Sequence, residues 1–174
     1  MVTRDRDPAG RPRNARPRDA LGRPLDRAEP GAGPPRIPDD LVITGTDAAA
    51  LADQLLREGR PFHAHEVLEA AWKCGPPAER DLWRGLAQIA VGLTHARRGN
   101  ARGAVTLLRR GAQRVRACQV PDEAGGETGE ARPFGMNLPA VLAAAGDLAA
   151  RIERDGLAGI PAADLSPGLL APGR

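Results

Sequence analysis

Cysteine is scarce in this 174-residue chain: Cys74 and Cys118 are the only two. Their spacing suits neither a zinc site nor a disulfide framework, so free thiols in a reducing compartment, the cytoplasm, are expected. Long apolar runs are missing as well. None approaches the ~18 residues a membrane span needs, and the charged N-terminus contains no apolar stretch of the kind that starts a secretion signal. Charge of one sign is not in excess either. Twenty-five basic residues face 22 acidic ones, leaving a net charge of +3 behind a pI near 9.6. A nucleic-acid footprint needs basic residues clustered on one face, so nucleic acid is disfavoured as a partner. Lysine occurs once, at Lys73, and all other basic residues are arginine, a composition bias that weakens any argument from arginine number. No segment has the alternation of a strand.

What is present is a series of helical patterns between two breaker-rich ends. Residues 1–40 hold eight prolines, nine arginines and seven acids with no apolar period, and read as a disordered Pro/Arg-rich tail. From Thr46 or Asp47, a capping pair, Ala50, Leu51, Gln54, Leu55 and Glu58 trace a first helix ending at Gly59. Pro61 opens a second helix that runs to Cys74-Gly75-Pro76-Pro77. Leu82, Trp83, Leu86, Ile89, Ala90, Leu93 and Ala96 give a long third helix over about 78–98, closed by Gly99-Asn100. Ala101, Ala104, Val105, Leu108, Ala112 and Val115 give a fourth, with arginines on or beside its other face. These elements make a helical core domain over 45–118. A mobile linker is expected at 119–137, then a helix at 138–157 packing on the core and a flexible tail at 158–174. The fold class is all-α, a compact bundle of about five helices.

Chemistry concentrates in Phe62-His63-Ala64-His65-Glu66-Val67-Leu68-Glu69-Ala70-Ala71-Trp72, which carries two of the three histidines. On a helix, His65, Glu69 and Trp72 stand at i, i+4 and i+7, so an imidazole and a carboxylate share a face with a large aromatic. The short turn between helices two and three implies antiparallel packing, and counting outward from it puts His65 opposite Ala87 or Gln88. Gly85, Gln88, Gly92 and His95 fall on one stripe of helix three, where two glycines in a helix suggest a close approach by a neighbour or ligand. Imidazole and carboxylate suit zinc, manganese or iron, with three or four donors required. His65 and Glu69 supply two. His95 is the third candidate, though the count puts it roughly 10 Å along its helix from the position facing His65. Glu66 is turned by ~100° from His65 and reaches only the edge of the site, and His63 points ~200° away. The structural alternative is a buried network of His65, Glu69 and Gln88, with Trp72 filling core.

The block from Phe62 through His65-x-x-x-Glu69-x-x-Trp72, continued by Gly85-Leu86-Ala87-Gln88-Ile89-Ala90 and His95-Ala96-Arg97-Arg98-Gly99-Asn100-Ala101-Arg102-Gly103-Ala104, resembles the domain of unknown function 309 family over about residues 48–115. The resemblance implies a small all-helical domain without an established activity, and a metal site at the motif carried here by His65, Glu69 and Trp72. The long N-terminal tail and the Gly/Glu-rich segment after helix four depart from compact members of that family.

The expectation is therefore a pocket between helices two and three, with His65 and Glu69 as metal ligands and His95 and Glu66 as secondary candidates. Gln88, Trp72, Gly85 and Gly92 line it, and a divalent zinc, manganese or iron ion is bound weakly or conditionally. No nucleophile with an adjacent base is visible, so the enzymatic version would be metal-activated water with Glu66 or Glu69 as base. The competing expectation is a helical protein-interaction module in which His65 and Glu69 are structural, because Ala90 to Ala112 is similar to the small-residue turn of a tetratricopeptide-type hairpin without a second copy. The partner would be a small molecule or a protein. Catalytic residues and oligomeric state are not legible.

Overall fold

The computed structural model describes residues 18–25, 34–118 and 132–170. Five α-helices carry the fold: α1 (Gly45–Arg57), α2 (Pro61–Cys74), α3 (Arg80–Arg97), α4 (Ala101–Ala117) and α5 (Leu138–Asp155). Short 3-10 turns lie at Pro77–Glu79, Pro133–Gly135 and Ala162–Leu165, and no strand occurs among the described residues. The α1 cap is Thr44 rather than the Thr46-Asp47 pair the sequence suggests. Its hydroxyl accepts from the Asp47 backbone N–H at 3.2 Å, and Asp47 sits at the third helical position, so the motif begins two residues earlier. Asn100 and Asn137 cap α4 and α5 in the same way, through Gly103 and Ala140.

The helices run as successive hairpins, with α3 packed most extensively on α4 and then on α2, while α5 closes the far side of α4 and α1 lies against α2. Trp83, Leu82, Leu86 and Leu93 of α3 are fully or almost fully buried, so α3 is the central rod. Burying a side chain of this size contributes roughly 1.5–3 kcal/mol. The Trp83 indole N–H donates to Glu79 at 2.9 Å, and its ring lies 4.9 Å from that of Phe134. Phe134 has a left-handed backbone (φ 57), a conformation disfavoured for a non-glycine residue, and is held there by its contacts with Trp83 and Gly45.

Two stretches of the expected N-terminal tail are placed. Residues 34–44 run along α2, with the Pro35 carbonyl accepting from Arg60 at one end and the Leu41 carbonyl facing the Cys74 thiol at the other. Residues 18–25 form a turn seated on the start of α2. The remaining residues of that tail lie outside the described residues, as do 119–131 of the expected linker. Residues 132–137 of that linker pack, with Met136 fully buried. The C-terminal segment folds back over α1: Leu169 is buried, and the backbone N–H groups of Leu169 and Leu170 donate to Asp53 at 2.5 and 2.9 Å.

Candidate functional site

On α2, helical spacing brings His65 and Glu69 together as the sequence implies, with His65 Nε2 and Glu69 Oε2 3.5 Å apart. Both are partly shielded, at 25% and 34% exposure. The Phe62 ring flanks His65 at 5.9 Å. Burial pushes the His65 imidazole below its ordinary pKa against an upward pull from Glu69, so the neutral ring, the metal-ligating form, prevails at pH 7. The other Glu69 oxygen is engaged by Lys73 at 2.9 Å.

Several of the remaining expected members have other contacts. Gly85 and Gly92 do not line this site. A Cβ on Gly85 would meet the Val115 side chain and the Gly111 carbonyl, and one on Gly92 would meet Leu108, so the glycine stripe of α3 is its seam with α4. His95 is not a third ligand either. Its Nδ1 lies 2.8 Å from the Asn100 side-chain amide, and the ring belongs to the α3–α4 turn. Trp72 is half-buried and packs against the hydrophobic core, with the Arg84 guanidinium 4.8 Å from its ring centre. Gln88 does not close a hydrogen-bonded network with His65: neither Gln88 Oε1 nor His65 Nδ1, both buried atoms, has a hydrogen-bond partner among the described residues.

Glu66 turns toward the N-terminal segments. Burial pushes its carboxyl up to about 7, despite the opposing charges of Arg36 and Arg18 and with a further push from Asp39 and Glu69. A carboxyl of that pKa can exchange a proton near neutrality, and the charges acting on it come both from the arginines of the N-terminal segments and from Glu69. Among the described residues, no group of three or more His, Cys, Asp and Glu side chains could hold a metal ion.

Two buried polar residues, His63 and Asp53, are given no role by the sequence. His63 is 1% exposed, its imidazole pushed down by burial and by Arg60, and its Nδ1 has no partner among the described residues. Its place in line with Val67 and Ala71, on the apolar stripe of α2, was the available signal. Asp53, 7% exposed, occupies the buried stripe of α1 with Ala49, Ala52 and Leu56, the same kind of signal. A shallow cleft of about 280 Å³ between α3 and α4 is lined by Asp81, Arg110, Gln113, Arg114 and Ala117, with Arg114 bound to Asp81 at 2.6 Å.

This geometry, an imidazole and a carboxylate one turn apart on the second helix of an antiparallel hairpin, sits inside a matched segment. Residues 50–107 match the family model described as Domain of unknown function (DUF309). The segment runs from α1 to the first half of α4 and contains the whole His65–Trp72 motif. The chain is also 48% identical over 48 residues to the uncharacterized protein YpuF of Bacillus subtilis (strain 168), a stretch that makes up 27% of this chain and 28% of that protein. It therefore spans little more than a quarter of the relative it matches. No solved structure matches this chain. No described helix is long and apolar enough to cross a membrane.

Proposed function

We propose that the DUF309 segment forms a binding module whose site is the His65–Glu69 pair, and that a divalent cation such as zinc, manganese or iron enters it only conditionally. One observation carries this reading: a neutral, part-buried imidazole and a carboxylate converge within 3.5 Å on one face of α2. The fit to a resident metal is incomplete. Two side chains fall short of the three or four protein donors of a stable site, and Lys73 competes for Glu69. A cation there draws its remaining donors from a small-molecule ligand, which makes binding weak by itself and stronger in that ligand's company.

Elemental analysis and titration with Zn²⁺ or Mn²⁺ on protein purified without a histidine tag test this. Saturable binding, lost in both His65→Ala and Glu69→Gln, is expected. Binding that survives either substitution would remove the pair from the site.

The second reading, a helical interaction module in which these side chains are structural, draws on the Lys73–Glu69–His65 row, a chain of polar side-chain contacts along one face of α2. Under that reading His65→Ala and Glu69→Gln lower stability without altering any metal uptake. A pull-down would then recover the same dominant protein with or without either substitution.

A further inference from the structure

The turn at residues 18–25 is built to hold its own shape. The Asp19 carboxylate accepts from the backbone N–H groups of Leu21 and Arg23 at 2.9 and 2.7 Å. Backbone bonds join Asp19 to Arg23 and Gly22 to Asp19, and Arg18 donates to the Gly22 carbonyl at 2.6 Å. Gly22 is left-handed (φ +74) and lies flat against the Phe62 ring, where any Cβ would collide. The turn is therefore preorganised, and among the described residues it meets a small set of groups on the helices.

Those groups belong to both helices of the α2–α3 hairpin. The Arg18 guanidinium lies over the Phe62 ring at 5.3 Å, and Arg98, just past the end of α3, donates to the Leu21 carbonyl. Beneath them His63 is shut away from solvent, beside the Ala20 backbone and the Asp19 charge. Of the turn itself only Gly22 is buried, and none of its side chains joins the hydrophobic core. A segment that buries so little apolar surface opens locally far more often than the domain unfolds. It also lies outside the matched residues 50–107.

We propose that Phe62, His63 and Arg98 form a docking seat for an arginine–glycine turn, and that the chain's own residues 18–25 occupy it as a detachable plug over His63. Each feature of the seat has its counterpart in the ligand: an aromatic ring for the guanidinium and for a residue without a side chain, and a guanidinium donor for an exposed carbonyl. The Glu66 carboxyl, close enough to feel Arg18, carries part of a negative charge at neutral pH and so favours a cationic turn. This inference does not depend on metal at His65 and Glu69.

Diethylpyrocarbonate labelling of the intact chain, read histidine by histidine by mass spectrometry, tests it, with His95 as the reference. Gly22→Val forbids the turn geometry and Arg18→Ala removes the ring contact. Both are expected to raise His63 labelling roughly tenfold or more while the midpoint of global unfolding stays in place. An excess of the free peptide spanning residues 18–25 restores protection to the Gly22→Val chain, and the same peptide with valine at the glycine position does not. Equal labelling in all chains, or labelling that rises only as the whole protein loses stability, overturns the plug. Failure of the peptide to protect overturns the seat as a recognition surface, and protection that depends on protein concentration assigns the turn to a second copy instead.

Discussion

Asp53 is the residue on which one end of the molecule hangs. Burial would raise its carboxyl pKa, but hydrogen bonds from Arg57, Leu170 and Leu169 and the Arg57 charge outweigh that and hold it below the ordinary value of 3.8. A carboxylate lowered in the folded state stabilises the fold fully above the unfolded pKa, and the contribution is lost as pH falls through the folded value. Asp53→Asn is expected to cost about 1–3 kcal/mol at pH 7, as for hydrogen bonds to a charged group. In denaturant unfolding, the gap between the two proteins should narrow as pH approaches 3. A gap that stays constant down to that pH would show that the charge is immaterial. His65 and Glu69 were legible because spacing on one helix fixes which side chains meet. The role of Asp53 was not, because its partners lie 116 and 117 residues further along the chain.

At the scale of the elements, the glycines of the helices separate into two kinds. Gly85 and Gly111 stand back to back where α3 crosses α4. A Cβ on Gly111 would lie 2.6 Å from the Gly85 carbonyl and 2.8 Å from Ile89. Gly146, exposed on α5, has nothing within 4 Å of such a Cβ. Helix propensity favours alanine at both positions by roughly 0.5–1 kcal/mol. Gly146→Ala should therefore stabilise by about that amount. Gly111→Ala should destabilise by about 1–3 kcal/mol, because overpacking against backbone exceeds the propensity gain. Thermal melts of the two variants decide it, and a rise in both would mean that the crossing can open without cost. Periodicity placed the α3 glycines on one stripe but could not say which neighbour they face. The five helices themselves were readable because caps, prolines and apolar spacing are local signals.

For the whole molecule, the hairpins formed by α1 to α4 carry the motif, and the chain on either side of the matched segment packs back onto them. The C-terminal segment supplies the buried Ile160 and Leu169 and the two backbone donors to Asp53. Ending the chain after Leu157 should lower unfolding free energy by roughly 2 kcal/mol or more, since the burial lost exceeds the chain entropy regained. Hydrogen exchange in α1 should quicken with it. Unchanged protection of α1 would show that the segment rests on the surface without contributing.

Local sequence determined the all-α class, the helix spans to within a few residues and the shared face of His65 and Glu69, because each depends on dihedral preference and on residues three or four apart. Tertiary structure alone decided that the glycines of α3 face α4, that His63 is covered and that Asp53 ties down the C-terminal segment. A helical pattern states which residues look the same way, whereas what they look at is settled by burial of the whole chain at once.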